Sequence, residues 1–324
     1  MRRREFIALL GGAVWPPPAR AQQAGKVPRI GFLGLSSPAA FASRIDALKA
    51  GLRDFGYIEG TSITIEYRWA GGHYDRLPEL AAELVHSNVD IIVTHATPGS
   101  LAAKQATATI PIVVALIGDP VAAGIVLSVA HPGGNITGQS FFNAELRAKR
   151  IELLKEVKPQ LTQAAVLMNP DNQAAESEFR AMEATAQSLN VKLRPFRLRA
   201  PNEFAGAFDA MEQMHLEAVE TGEDQLSVAN MGTIVSRATK GRMLSIGPED
   251  VVRSGGLMSY GVDSAATYRR AAFFVDRILK GANPGDLPIE RATKFQFILN
   301  RKVAQTLNLD VPTATLLRAD EVIE

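Results

Sequence analysis

The chain has 324 residues, of which 46% are hydrophobic and 21% are charged, so it has enough apolar material for more than one hydrophobic core. Its 35 Lys and Arg nearly balance its 34 Asp and Glu, and we therefore expect no nucleic-acid partner. Cysteine is absent, which excludes disulfides, thiolate metal sites and a cysteine nucleophile.

Residues 1–21 have the order of a signal peptide. A basic start is followed by ten apolar residues from Phe6 to Trp15, and Ala-Arg-Ala at 19–21 offers a small-x-small cleavage site. The apolar stretch is too short for a membrane span, which takes about 20 residues. We expect cleavage after Ala21 and a periplasmic product, and the arginine pair at Arg3 and Arg4 leaves both the Sec and the twin-arginine route open.

From Arg29 onward, strand-like and helix-like segments alternate. The segment RIGFLGL is typical of a buried strand. The next segment places five apolar residues on one helical face: Phe41, Ile45, Leu48, Leu52 and Phe55. Further strands are predicted at SITIEYRWA, VDIIVTHA and IPIVVALI, and further helices at DRLPELAAELVHSN, GSLAAKQAT and VAAGIVLSVA. This alternation predicts an α/β fold with a parallel sheet that is covered by helices on both faces.

The second half of the chain repeats the order of the first half. RIGFLGLSSP corresponds to QAAVLMNPDN, ITIEYRWAGG to VKLRPFRLRA, and IPIVVALIGDP to GRMLSIGPED. The offset between the equivalent segments stays nearly constant, which indicates one Rossmann-like lobe used twice. Two open sheets joined at a hinge form a cleft where the carboxyl ends of both strand sets face each other, and ligands bind at such an edge.

With this repeat and the predicted signal peptide, the chain resembles the substrate-binding proteins of ABC transporters. The family that it resembles includes tryptophan- and tyrosine-type binding proteins with a type I periplasmic-binding fold. The segments that carry the resemblance are FGYIEGTSITIEYRWAGGHYDRLPELAAELV, ATIPIVVALIGDPVAAGIV, HPGGNITG, SGGLMSYG, YRRAAFFVDRILKGANPGDLPIE and LLRADEVIE. The resemblance implies two lobes with parallel sheets, joined by a three-strand hinge.

The resemblance also implies where the chain passes between the lobes. Lobe one would comprise residues 28–140 and 262–292, and lobe two residues 141–261 and 293–324. The hinge would lie near residues 139–142, 260–263 and 292–295. The sequence departs from the family pattern mainly in lobe two, where the segment AVETGEDQLSV is unusually acidic.

Three turns of lobe one place a capping residue before a proline at a predicted helix start: Ser37-Pro38, Thr97-Pro98 and Asp119-Pro120. Free backbone N–H groups at a helix start attract a carboxylate, although simple capping explains each turn equally well. We expect the segment HATPGSLAAK to be the best anion site, with Gly99 and Ser100 offering N–H groups. Ser36 and Ser37 add candidate hydroxyls in the opening loop.

In lobe two, Asn169 and Asn172 occupy the equivalent edge, and Glu223 and Asp224 could accept hydrogen bonds from an ammonium group. The alternative is that the two acids only favour a helix N-terminus and stay solvated. Trp69 and Tyr260 could stack on a planar ligand or could serve packing and the hinge.

The ligand-binding candidates are therefore Ser36, Ser37, Trp69, Thr97, Gly99, Ser100, Asp119, Asn169, Asn172, Glu223, Asp224 and Tyr260. No catalytic residue, metal ligand or cofactor is expected. We expect a monomeric, exported binding protein that captures an amino acid or related carboxylate and delivers it to an ABC permease, which is its only link to a membrane. The alternatives are a ligand-sensing protein and a duplicated α/β enzyme such as a racemase.

Overall fold

A computed structural model describes residues 27–141 and 143–324, and the predicted signal peptide lies outside the described residues. The strands are β1 (Arg29–Gly34), β2 (Thr64–Trp69), β3 (Ile91–Thr94), β4 (Ile112–Ile117), β5 (Ile136–Ser140), β6 (Gln163–Met168), β7 (Lys192–Arg197), β8 (Ala218–Thr221), β9 (Leu244–Gly247), β10 (Met258–Val262), β11 (Glu290–Arg291), β12 (Phe295–Asn300) and β13 (Glu321–Ile323). The helices are α1 (Ala42–Asp54), α2 (Leu77–His86), α3 (Ala96–Ala106), α4 (Asn143–Val157), α5 (Ala175–Ser188), α6 (Glu203–Gln213), α7 (Gln225–Ala229), α8 (Met231–Lys240), α9 (Glu249–Arg253), α10 (Ser264–Leu279), α11 (Arg301–Thr306) and α12 (Thr313–Arg318).

The strands form two sheets that share one strand order. The first sheet has the order β11-β5-β4-β3-β1-β2, and the second has β13-β12-β10-β9-β8-β6-β7. The strand pairs are parallel except for β10 and β12, which pair antiparallel. Because β6 to β10 follow the same spatial order as β1 to β5, the predicted duplication and the predicted two-lobe α/β fold are confirmed.

The chain passes between the two sheets three times. It leaves the first sheet after β5, returns after β10 through α10, and leaves again between β11 and β12. The predicted hinge residue Phe142 lies outside the described residues. The residues at which each lobe begins and ends stay a prediction.

Helices cover both faces of the first sheet. Ile45, Leu48 and Leu52 lie on the buried face of α1, which packs with α10 on one side of the sheet, while α2 and α3 pack on the other side. This is the spacing that one face of an amphipathic helix requires. Phe55 does not belong to this face: α1 ends at Asp54, and the Phe55 side chain is 40% exposed.

The prediction of a helix over VAAGIVLSVA is wrong, because residues 121–130 form turns. The carboxylate of Asp119 accepts hydrogen bonds from the backbone N–H groups of Val121 and Ala122 at 2.9 Å each, which closes a local turn. Gly124 then adopts a φ of 67°, outside the helical region, and Leu127 is 94% exposed.

None of the predicted residues caps a helix with its side chain. Ser37 Oγ accepts a hydrogen bond from the N–H of Ala40 at 3.3 Å, but this caps a turn, and α1 begins only afterwards. Helix α3 begins before Thr97, and no side chain caps it. A capping residue followed by proline therefore marks a turn at Ser37 and at Asp119, whereas Thr97 and Pro98 lie within the first turn of α3 without a side-chain cap.

Candidate functional site

A cavity lies between the two lobes at the carboxyl ends of both parallel strand sets. Its lining includes Gly118, which follows β4, Asn169, which follows β6, and Gly222, which follows β8. In open α/β sheets this edge is where ligands bind, since loops with different side chains converge there on a rigid scaffold.

Lobe one contributes an aromatic wall to the cavity, formed by Phe41, His95 and Tyr268 and completed by Phe141 at the predicted hinge. The ring centroids of Phe41 and His95 lie 4.5 Å apart, and those of Phe41 and Tyr268 lie 5.9 Å apart in an edge-on arrangement. Such pairs stabilise one another beyond the area that they bury. The aromatic wall is therefore a rigid surface suited to an aromatic or other apolar group.

His95 is a neutral part of this wall. Its Nε2 accepts a hydrogen bond from the N–H of Leu35 at 3.2 Å, which places the proton of the neutral ring on Nδ1. Burial, assisted by the positive charge of Arg44, lowers the pKa of His95 to about 3. The imidazole therefore positions the loop after β1 and carries no charge into the cavity at neutral pH.

Lobe two contributes a polar wall, formed by Asn169, Asn172, Glu178, Glu223 and Asp224. Asp224 caps α7, because its Oδ1 accepts from the N–H of Leu226 at 3.0 Å. Burial raises the pKa of Asp224, and the hydrogen bonds that its carboxylate accepts offset this only in part. Among the described residues no cation lies within ion-pair distance of Asp224, so its charge is uncompensated.

An ion network lies directly behind the polar wall. Glu220, at the end of β8, is fully buried and accepts hydrogen bonds from Arg147 Nε at 3.0 Å, Arg147 Nη2 at 2.6 Å and Arg150 Nη1 at 3.2 Å. Arg147 also donates to Glu178 at 3.1 Å, and Arg150 pairs with Glu223. Because these guanidinium groups are already engaged, they hold the polar wall in place and are not free to bind an anionic ligand.

Two contacts join the lobes at residues that line the cavity, Asp224 and Arg44. The Tyr74 hydroxyl of lobe one donates to Asp224 Oδ2 at 2.8 Å and accepts from the N–H of Gln225 at 3.0 Å. Arg44, on α1, pairs with Asp250, on α9, at 2.6 Å. The two lobes are therefore in contact, and the structure has a closed cleft.

Comparison with known proteins shows the family to which the chain belongs. A family model described as ABC transporter substrate binding protein matches residues 33–323. The chain belongs to this family. It is 26% identical over 259 residues to the tyrosine-binding protein of Clostridioides difficile strain R20291, covering 80% of this chain and 74% of the relative.

Two crystal structures are similar to this substrate-binding protein over 92% of its chain and 100% of theirs. One is a conserved domain protein from Vibrio cholerae, at 26% identity and a TM-score of 0.86. The other is an ABC domain from Streptococcus pneumoniae in complex with L-Trp, at 25% identity and a TM-score of 0.85. These matches support a binding protein and favour neither of the alternatives, a sensor or a racemase. The family consists of transport proteins that bind substrates and work with a permease, and not of enzymes.

Five of the predicted ligand-binding residues line the cavity of this substrate-binding protein. They are Thr97, Asn169, Asn172, Glu223 and Asp224. Each follows the carboxyl end of a parallel strand, which is the position from which the sequence analysis selected it.

The other seven predicted residues lie outside the lining: Ser36, Ser37, Trp69, Gly99, Ser100, Asp119 and Tyr260. Trp69 stacks on Tyr67 and packs against the rings of Phe32 and Phe41, so it serves the core. A Cβ on Gly99 would lie 2.5 Å from Thr94 Oγ1, which shows that close packing requires this glycine.

Hydrogen bonds and stacking account for most of the remaining residues. Ser100 Oγ donates to the carbonyl of Ala96 at 2.7 Å, within the first turn of α3. The carboxylate of Asp119 is used in the turn described above. The Tyr260 ring stacks on Phe295 in lobe two, and its carbonyl accepts from Arg150 at 2.7 Å, so it braces the second sheet. Ser36 is fully buried.

The lining residues that sequence reasoning missed include several from helices or from the residue before a helix: Phe41, Arg44, Asn143, Arg147, Glu178, Gln225 and Tyr268. Phe41 was assigned to the core face of α1, which it also serves. A signal for Arg147 was available, because Arg147 and Arg150 share one face of α4 and an acidic strand end follows in the same lobe.

Within the part of the chain that the structure describes, no helix is long and apolar enough to cross a membrane. The described residues also contain no group of three or more His, Asp or Glu side chains that could hold a metal ion.

Proposed function

We propose that this substrate-binding protein captures an amino acid or a related amino carboxylate with an aromatic side chain. The observation that carries the proposal is the pairing of an aromatic wall on lobe one with an acidic, amide-rich wall on lobe two. The tyrosine-binding relative and the L-Trp complex support the same ligand class.

The ammonium group of the ligand binds at Asp224 in this proposal. The Asp224 carboxylate is buried, carries no compensating cation among the described residues and lies between the side chains of Asn172 and Tyr74. Burying an unpaired charge is costly, and an ammonium group relieves that cost by adding a charge-assisted hydrogen bond. Glu223 lies in the same wall, where Arg150 compensates its charge.

The carboxylate of the ligand binds on lobe one, at the N-terminus of α3. Ala96 and Thr97 line the cavity there, and the first N–H groups of a helix have no partner within the helix. Arg44 also lines the cavity and adds a positive charge, although it is shared with Asp250.

A thermal-shift series tests the ligand class. Purified protein is heated with each of the twenty amino acids, with aromatic acids that lack an amine, and with sugars. L-tyrosine and L-tryptophan are expected to raise the melting temperature, because a ligand at 100 times its Kd stabilises the folded state by about 2.7 kcal/mol. A shift with sugars and none with amino acids would contradict the proposal.

The change Asp224→Ala tests the ammonium site. We expect the Kd for L-tyrosine to rise at least about tenfold, which corresponds to about 1.4 kcal/mol. The matched control is Asp209→Ala, since Asp209 is an exposed aspartate of the same lobe that pairs with Arg237. Calorimetry that gives one Kd for both variants and the wild type would remove Asp224 from the site.

We also propose that residues 1–21 direct export and are removed, and that the product acts in the periplasm as a monomer beside an ABC permease. The order of basic, apolar and small residues supports this, and members of the family act outside the cytoplasm. N-terminal sequencing of protein from the periplasmic fraction is expected to begin at Gln22. Intact residues 1–21 on cytoplasmic protein would contradict it.

A further inference from the structure

Two polar atoms of the aromatic wall have no hydrogen-bond partner among the described residues. They are Nδ1 of His95 and the hydroxyl oxygen of Tyr268. Both residues line the cavity, and each is only 3% exposed. Some unpartnered side-chain atoms of the described residues are closed off from solvent, but these two are not among them. Both atoms therefore keep accessible surface, and a ligand in the cavity can reach them.

The free atom of His95 is a hydrogen-bond donor. A backbone N–H can only donate, so the bond from the N–H of Leu35 requires an Nε2 without a proton. The neutral ring therefore carries its proton on Nδ1, and burial keeps a second proton away by lowering the pKa of His95 to about 3. Turning the ring over would place a carbon against the N–H of Leu35, so the donor stays where it is.

The free atom of Tyr268 belongs to a neutral hydroxyl. Burial raises the pKa of Tyr268 above that of an ordinary tyrosine, so the O–H keeps its proton at neutral pH. The Tyr268 ring packs against His95 and Phe41, with distances between ring centroids of 6.1 and 5.9 Å, respectively. The two donors therefore lie on neighbouring rings of one wall.

A buried donor without an acceptor costs about 1–3 kcal/mol, so we expect a molecule in the cavity to supply the acceptor. The backbone beside His95 supports a built site. Ala96 has a φ of 56°, in the left-handed region that residues other than glycine rarely adopt. Such a conformation persists only where the surroundings hold it, and it is common at ligand sites.

The charges around the cavity determine which part of the ligand supplies the acceptor. The uncompensated carboxylate of Asp224 repels an anionic group from lobe two. On lobe one, Arg44 is already engaged, because its Nη1 donates to the carbonyl of Ala40 at 3.2 Å and its Nη2 donates to Asp250 at 2.6 Å. The two donors of the aromatic wall are free, and they lie beside the N-terminus of α3, which directly follows His95.

We propose that His95 and Tyr268 determine ligand specificity by donating hydrogen bonds, from Nδ1–H and from the hydroxyl, to the carboxylate of the ligand. The inference rests on the proposed amino-acid ligand and names two residues that recognise its acid group. A site with buried hydrogen-bonding groups rejects an analogue that lacks their partner, because those groups are then left unpaired. The consequence is selection against amines that have the same aromatic group and no carboxylate.

The test compares L-tyrosine with two analogues that each lack one charged group. Tyramine lacks the carboxylate, and desaminotyrosine lacks the ammonium group. The variants are Tyr268→Phe, which keeps the ring and removes the hydroxyl, and His95→Gln, which offers an acceptor to the N–H of Leu35 and removes the Nδ1 donor. Calorimetry gives the Kd of L-tyrosine, and competition with L-tyrosine gives the Kd of each analogue.

We expect Tyr268→Phe to raise the Kd of L-tyrosine and of desaminotyrosine at least about tenfold, because a hydrogen bond to a charged group is lost. The Kd of tyramine should change by less than about threefold, since tyramine has no carboxylate for the hydroxyl to bond. His95→Gln should give the same pattern. The matched controls are Tyr67→Phe, whose hydroxyl bonds Glu59 at the surface, and His131→Gln at an exposed position, and they should leave every Kd unchanged.

An unchanged Kd of L-tyrosine in Tyr268→Phe would overturn the inference. Equal losses for L-tyrosine and tyramine would also overturn it, because a merely structural role weakens both ligands alike. Both results leave the proposed amino-acid ligand standing, whereas a wild type that binds neither L-tyrosine nor any other amino acid ends the proposed function and the inference together. His95→Gln also changes packing, so a melting scan precedes its titration, and Tyr268→Phe decides the question if His95→Gln does not fold.

Discussion

Removing the Tyr74 hydroxyl separates the energy of lobe closure from the energy of folding. The hydroxyl makes two hydrogen bonds, both to the N-terminal turn of α7 in lobe two. The Tyr74 ring, in contrast, packs in lobe one against the hydrophobic core that includes the buried face of α2. Tyr74→Phe keeps the ring and deletes both bonds. The lost free energy therefore falls on the equilibrium between open and closed lobes and not on the fold of either lobe.

The size of the effect follows from the partners. A hydrogen bond to a charged group contributes about 1.5–3 kcal/mol, and burial makes the Asp224 carboxylate harder to leave without its partner. At about 1.4 kcal/mol per factor of ten, the closed form becomes about 10- to 150-fold less populated relative to the open form. If the ligand binds the closed form, the apparent Kd for L-tyrosine rises by up to that factor.

Isothermal titration calorimetry of wild-type and Tyr74→Phe protein with L-tyrosine measures the change. The control is Tyr57→Phe, because the Tyr57 hydroxyl donates to Asp276 at 3.1 Å within lobe one. The control should cost stability without changing the Kd. Small-angle scattering should show a larger radius of gyration for ligand-free Tyr74→Phe. The reasoning is refuted if Tyr74→Phe leaves both the Kd and the radius unchanged, or if the control weakens binding equally.

Three further predictions concern buried charges. Burial raises the pKa of Asp224, so its carboxylate takes up a proton at a higher pH than an ordinary aspartate does. The affinity for L-tyrosine should therefore fall as the pH is lowered through this range. In Asp224→Asn the Kd measured by calorimetry should not change over the same pH range. Burial lowers the pKa of His95 to about 3, so the unfolded chain binds a proton that the folded chain does not. The free energy of unfolding should therefore decrease by about 1.36 kcal/mol per unit as the pH falls from about 6.5 towards 3, and His95→Gln in urea titrations should lose this slope. Glu220→Gln removes the negative charge that compensates the two buried arginines, and it should lower the free energy of unfolding by about 3–5 kcal/mol in denaturant titrations. The control is Glu176→Gln at an exposed ion pair, and equal losses of stability in the two variants would contradict the prediction.

The sequence predicts the fold well because its signals are local and repeated. In the sequence, a parallel strand that is buried on both faces is a continuous run of apolar residues. A helix that covers the sheet has apolar residues at helical spacing, as at Ile45, Leu48 and Leu52. The duplicated order supplies a second, independent reading of each element. The error at residues 121–130 arose because apolar composition alone does not form a helix when an aspartate closes a turn and Gly124 leaves the helical region.

The candidate site was predictable only where it follows strand ends. Thr97, Asn169, Asn172, Glu223 and Asp224 could be found because the carboxyl ends of parallel strands meet at one edge. Tyr268 and Arg44 could not, since they reach the cavity from the sides of α10 and α1, and His95 and Phe141 were not selected although they follow β3 and β5. Which helix faces the cleft depends on how the two lobes approach each other, and that geometry has no local signal in the sequence.

Of the two explanations of the acidic loop, the helix start holds for Asp224 but its solvation does not, and the ligand contact stays a prediction. Asp224 does cap α7, but it is buried and its second oxygen reaches Tyr74 in the other lobe. Glu223 is neutralised by Arg150, so the charge that remains for a ligand is that of Asp224. Because closure buries that charge, an ammonium group that accompanies it stabilises the closed form more than the open one, and this differential affinity is what allows a ligand to shift the equilibrium towards closure.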